Sequence, residues 1–186
     1  MTTPLSPGNA YFTHVPNMRL PSMDFIYRLE CEMSKDEQII GKSSVAQVSR
    51  AILPISGGTV LGPRISATIL NTAGADWATT LAGDRFYKLD ARYTLKTDDG
   101  CLIYVKSKGI YHPGHELQES PDSTEVHQSQ ADWFTRIQFE AGAGPYEWLN
   151  YIFAVGVFSM HEGKIIIDVF KMTNFPGEES RSIIVG

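Results

Sequence analysis

Leu89-Asp90-Ala91-Arg92-Tyr93-Thr94-Leu95-Lys96-Thr97-Asp98-Asp99-Gly100 decides the fold. Apolar and polar residues alternate through it, and the run stops at Asp-Gly. Successive side chains of a strand point to opposite faces, so this period marks a half-buried strand. Gly100 tolerates the positive φ of a tight hairpin turn. The same signature recurs in both directions from here. Upstream, Phe25, Tyr27, Leu29, Cys31 and Met33 alternate with Asp24, Arg28, Glu30 and Glu32.

Eight strands are predicted in this way, over residues 23–33, 44–53, 59–70, 85–96, 101–111, 132–140, 151–160 and 164–172. Pro54 and Gly57-Gly58 read as the end of the second, and Gly62-Pro63 as a bulge or corner in the third. Residues 34–42 read as a polar turn. Residues 71–84 read as a loop carrying Gly74-Ala75-Asp76-Trp77. Pro145 can open a short helical turn over 145–150. Residues 112–131 are polar, with Pro113, Gly114 and Pro121, and long for a connection. Such a stretch is a lid or a disordered loop, disorder being the plainer reading.

Short connections between strands favour an all-β fold, an eight-stranded antiparallel up-and-down barrel with a short helical turn. Closure removes exposed edges, and eight strands enclose packed side chains or one small ligand. A two-sheet sandwich is the alternative. The domain spans 23–173. Residues 1–22, with four prolines, read as an extended arm tied in part by Tyr11 and Phe12, and 174–186 as a polar tail.

Composition bounds the partners. The chain has 186 residues, 42% hydrophobic and 11% aromatic, with net charge −5 and no basic stripe, so nucleic acid is not expected. The N-terminus has no basic start or apolar run, and no stretch approaches the ~20 apolar residues that span a bilayer as a helix. A soluble cytoplasmic protein is expected. Cys31 and Cys101 read as buried small apolar residues, a single disulfide being left open.

Taken together, several segments resemble the domain-of-unknown-function family 3237. They are Phe25-Ile26-Tyr27-Arg28-Leu29, the Gly62-Pro63 corner, Gly74-Ala75-Asp76-Trp77, the run from Asp90 to Gly100 and Gly109. They continue with Trp133-Phe134-Thr135-Arg136, Phe139-Glu140, Tyr146-Glu147-Trp148-Leu149-Asn150 and Gly156. The resemblance implies a lipocalin-like barrel. Its fungal members look like small tailoring enzymes of secondary metabolism that act on aromatic polyketide-like molecules without a cofactor. Ring closure by addition of a hydroxyl across an alkene is the activity it implies. The chain departs from the family pattern at Asn71-Thr72-Ala73, at Arg64 and in the insertion from His112.

Such a reaction needs an acid, a base and walls that hold the substrate folded. Asp76, Arg136 and Glu140 are the proton-handling candidates, and Tyr27, Trp77, Tyr93 and Trp148 the wall candidates. Asp76 is a rim acid or base, or else an acceptor of loop N–H groups. Asp90 and Arg92 share the polar face of their strand and read as an outer ion pair, leaving Tyr93 to face inward. Arg136 would hold an oxyanion if inward, or pair with Glu140 if outward. Trp148 would close one barrel end.

His112-Pro113-Gly114-His115 with Glu116 lacks a third ligand at a recognisable spacing, so no metal is expected. His14, His127 and His161 read as loop residues. Neither Gly57-Gly58 nor Gly142-Ala143-Gly144 opens a long helix to cradle phosphate, and there is no Gly-x-Ser-x-Gly elbow. No cofactor is expected, and the partner is a small hydrophobic or aromatic molecule. The two rival readings are a carrier that binds such a molecule without changing it, and a structural homodimer.

Overall fold

A computed structural model describes residues 6–11, 13–45, 48–71, 74–81, 85–120 and 123–177. Ten strands form one sheet: β1 (Ser22–Met33), β2 (Gln38–Lys42), β3 (Ser49–Leu61), β4 (Ser66–Ile69), β5 (Ala75–Leu81), β6 (Phe86–Thr97), β7 (Leu102–Pro113), β8 (Ala131–Ala141), β9 (Phe153–His161) and β10 (Lys164–Thr173). All pairings are antiparallel. β6 to β10 follow one another as neighbours, as short turns dictate.

The ring closes through β1. One edge pairs with β10 from Ser22↔Thr173 to Cys31↔Ile165, and the other with β3 from Arg28↔Leu61 to Met33↔Ile55. Two wall positions are split. β4 and β5 both lie between β3 and β6, one beyond the other. β1 and β2 share the opposite edge of β3. Ten strands therefore make the expected closed eight-position barrel.

The expected boundaries shift in three places. Gly57-Gly58 is not a turn, because β3 runs through it. β1 passes so close there that a Cβ on Gly58 would lie 2.6 Å from the Glu30 carbonyl. The chain reverses instead at Gly62, whose N–H donates to the Ile65 carbonyl at 2.8 Å. The polar turn expected over 34–42 contains β2, and Ser34 N–H donates to the Pro54 carbonyl. Asp76 and Trp77 lie in β5, not in a loop, with Ala75 and Ala78 buried. Of the loop expected over 71–84, residues 72–73 and 82–84 lie outside the described residues.

The segment after β7 is ordered where described. It holds a helix, α1 (His115–Glu119), and a 3-10 turn, Gln128–Gln130. Leu117 and Val126 are buried, and Val126 exchanges backbone hydrogen bonds with Met160 of β9. This apolar anchoring excludes the disordered reading there. Pro121 lies outside the described residues. Tyr11 is 81% exposed and ties down no arm; Phe12 and residues 178–186 are outside the description.

The helical turn expected at 145–150 is a 3-10 turn, Glu147–Tyr151. Leu149 seats it in the core, and the Asn150 amide both donates to and accepts from the Ala141 backbone at 2.8 Å. Leu29, Val60, Leu95, Ile103, Val105 and Ile137 fill the barrel below this turn. Burying each such side chain stabilises the fold by roughly 1.5–3 kcal/mol. The other end stays hollow. Among the described residues no helix is long and apolar enough to cross a membrane.

Candidate ligand cavity and its acid

The hollow end encloses about 660 Å³, within the range of cavities that hold organic ligands. One wall is an aromatic ladder running from β6 to β9. Tyr87 and Tyr111 have ring centroids 5.5 Å apart, Tyr111 and Trp133 4.7 Å, and Trp133 and Phe158 5.2 Å with the last pair stacked. Alternation produces it: Tyr87, Tyr111 and Trp133 occupy one register across β6, β7 and β8. The facing wall is aliphatic, with Leu53, Ile55 and Ala78. The segment after β7 covers the mouth with Leu117 and Val126.

Asp76 lines this cavity. The β5–β6 ladder pairs Asp76↔Ala91 and Thr79↔Lys88 but skips the two positions between them. The Asp90 N–H left over donates to Asp76 Oδ1 at 2.8 Å. Asp76 Oδ2 has no hydrogen-bond partner among the described residues. Burial pushes the Asp76 carboxyl up to about 6. The Asp90 N–H opposes that rise, and the Asp90 charge adds to it. A carboxyl so placed exchanges a proton near neutrality, which suits it to acid–base work.

Behind Asp76 lies a reluctant set of acids. Burial pushes the Cys31 thiol up to about 12, with Glu32 and Asp76 reinforcing the rise. Cys31 is a free thiol, as is Cys101. Tyr93 lines the cavity floor and Tyr27 lies beneath it, packed edge-on against Phe139. Both phenols are neutral, held far above their ordinary value by burial. Their hydroxyls interact, yet neither makes a hydrogen bond of ordinary geometry.

The predicted site residues do not all converge. Asp76 and Tyr93 meet at the cavity. Tyr27 is one layer too deep to line it. Trp77 follows Asp76 on the strand and so faces outward, where Arg92 stacks on its ring at 5.6 Å. Arg136 and Glu140 are also on the outside. Trp133, Thr135, Ile137 and Phe139 take the inner face of β8 and leave every even position to solvent. Arg136 covers the Phe153 ring at 5.0 Å and can hold no oxyanion in the cavity. Trp148 sits on the 3-10 turn at the opposite end, under the Arg64 guanidinium at 4.3 Å. Asp90 pairs outside with Arg92 at 3.2 Å and Lys108 at 2.9 Å.

Sequence reading missed Tyr111 and Trp133 as walls, and Ser107 and Thr135 as polar points on them. Each falls on the inward phase of its strand, so period two contained the signal once the phase of β8 was fixed. Among the described residues no group of three or more His, Cys, Asp or Glu is placed to hold a metal. His115 is exposed and pairs with Glu119.

A family model described as a protein of unknown function, DUF3237, matches residues 21–172. A UPF0311 protein from Rhodopseudomonas palustris is 35% identical over 124 residues, 66% of this chain and 80% of that protein. The crystal structure of a conserved protein of unknown function from the same species has a TM-score of 0.72 at 29% identity, covering 82% of this chain and 97% of that one. A beta-barrel like protein from Acinetobacter baumannii has a TM-score of 0.71 at 28% identity, covering 86% and 99%. A hydroalkoxylation enzyme from Penicillium herquei is 24% identical over 136 residues, 73% of each chain. The structure of an enzyme from Penicillium herquei shares the fold, with a TM-score of 0.65 at 18% identity over 85% and 98% of the two chains.

Proposed function

The chain belongs to the DUF3237 family, and from that premise we propose that it is a cofactor-independent cyclase or isomerase. Its substrate is an aromatic, polyketide-like molecule that carries an alkene and a hydroxyl, bound in the barrel cavity. The observation that carries this reading is Asp76, a buried carboxyl with a value of about 6 lining a cavity walled by aromatic rings. The hydroalkoxylation enzyme of Penicillium herquei supplies the reaction class by its relatedness.

The chemistry is a closed proton cycle. Neutral Asp76 protonates one alkene carbon. The hydroxyl oxygen bonds to the other carbon, and the proton it releases returns to the Asp76 carboxylate. Substrate and product are isomers. The aromatic ladder holds the flat part of the substrate, and this positioning lowers the barrier by holding the reacting atoms together.

The test is incubation with a phenol bearing an ortho-prenyl group, followed by chromatography at unchanged mass. Turnover in deuterated water places one deuterium on the protonated carbon. Asp76→Asn should slow the reaction at least 100-fold, the usual worth of a positioned acid. Equal rates for the two proteins retire Asp76 as the acid.

The second reading is a lipocalin-like carrier. The hydrogen bond from Asp90 N–H gives Asp76 a purpose in the sheet without any chemistry. Recovery of bound, unaltered molecules after long incubation selects it.

A further inference from the structure

The cavity wall contains a second polar point, away from Asp76. Ser107 of β7 and Thr135 of β8 both line the cavity, and they are 2% and 3% exposed. Ser107 Oγ donates to Thr135 Oγ1 at 2.8 Å. Their direct neighbours in the register carry no polar side chain. Ala91 lies beside Ser107 in the register, and Thr135 lies between Gly109 and Gly156. Gly156 leaves the hydroxyl its room, since a Cβ there would come within 2.9 Å of Thr135 Oγ1.

Two hydroxyls hold two protons and four lone pairs. One proton and one lone pair are used between Ser107 and Thr135, whichever of them donates. Neither side chain makes another hydrogen bond among the described residues. The pair therefore keeps one O–H donor and free acceptor positions. A carbonyl oxygen would answer only the donor. An alcohol or phenol answers both, because its oxygen accepts and its proton is given.

We propose that Ser107 and Thr135 form a hydroxyl-binding subsite that takes an alcohol or phenol group of the cavity's ligand. The subsite rests on the cavity being a ligand site, as in the proposed function, but not on turnover. β5, with Asp76, is two wall positions from β7 and three from β8. The ligand class is thus an aromatic body with a hydroxyl seated on β7 and β8 and a second group toward Asp76.

Calorimetric titration with 2-naphthol and 2-methoxynaphthalene tests this, since the ether keeps the ring and loses the proton. The full chain should bind the naphthol roughly fivefold more tightly, the worth of one net hydrogen bond. The double variant Ser107→Ala/Thr135→Val, which removes both hydroxyls, should bring the ratio to about one, since either hydroxyl left alone keeps a donor and two lone pairs. Thr135→Ser should keep it. An unchanged ratio in the double variant overturns the subsite, as does failure of the wild-type protein to bind either naphthalene. A melting curve for each variant separates lost binding from lost folding. Failure of cyclisation leaves this result standing, and loss of the preference with Asp76-dependent turnover intact removes the subsite alone.

Discussion

Asp76 accepts the backbone N–H of Asp90 at 2.8 Å, and the two carboxyls are driven apart in acidity. Asp76 faces the cavity and rises to about 6, chiefly through burial. Burial also opposes ionisation of Asp90, but Lys108 and Arg92 outweigh it and hold that carboxyl below its usual value. One strand crossing therefore carries a proton donor inside and a fixed anion outside.

The first prediction concerns stability against pH. The Asp76 value rises on folding, from 3.8 to about 6. Its contribution is complete below 3.8, falls as pH rises through about 6, and stays low above that. Asp76→Asn keeps an acceptor for the Asp90 N–H and removes the charge. Urea unfolding should find this variant more stable than wild type at pH 8, by up to about 3 kcal/mol. The gap should close near pH 4. A variant less stable at pH 8 contradicts the assignment.

Asp90 tunes Asp76 through its charge. Asp90→Asn should lower the Asp76 value, read from the carboxyl carbon in an NMR titration. The lost ion pairs with Arg92 and Lys108 are partly exposed and should cost about 1 kcal/mol or less. An Asp76 midpoint that stays or rises contradicts the coupling.

Arg136→Met and Glu140→Gln alter the outer face of β8. Both should leave ligand affinity and any turnover within twofold of wild type, and stability within about 0.5 kcal/mol. A large loss of affinity in either would place the ligand outside the barrel.

The cover of the cavity is clasped by Glu125. Its carboxylate accepts from Glu162 N–H at 2.7 Å and meets His161 Nδ1 at 2.9 Å. The Glu162 N–H, then His161, lower Glu125, while Glu125 raises His161. The Glu125 contribution is lost as pH falls through its lowered value. The His161 contribution is lost as pH rises through its raised one. The clasp is complete between their ordinary values of 4.5 and 6.5. Glu125→Gln should speed hydrogen exchange at the Val126 and Met160 amides severalfold, with core strands unchanged. Unchanged exchange at both amides contradicts the clasp.

Gly109 is packed against the neighbouring strand, and a Cβ there would overlap the Phe134 carbonyl oxygen. Gly109→Ala should part β7 from β8 and cost more than about 3 kcal/mol. Soluble protein that melts within a few degrees of wild type contradicts it.

Much of this molecule was legible because its strands alternate. Tyr93 and Asp90 fall on opposite faces of β6 by parity alone, and the outer pairing of Asp90 with Arg92 follows. Residues that depend on another strand were not legible. Gly58 looks like a turn until β1 is laid beside it. Arg136 and Glu140 looked as eligible as Trp133, because one strand's parity does not say which face is inner. Asp76 looked like a loop acceptor because the Asp90 N–H it takes comes from a strand fourteen residues on. The cover over the cavity is polar in composition, and only the burial of Leu117 and Val126 gives it an inside.

Closure of the ring through β1 has a consequence for life in a crowded cell. Most strands have both margins occupied, so another copy finds little backbone to graft onto. β2 is different: among the described residues it pairs only with β3, and Ile39 and Ile40 are 67% and 65% exposed. Lys35, Asp36 and Glu37 stand before this greasy hem and Lys42 ends it. Charges in those places guard against runaway stacking of chains into fibrils.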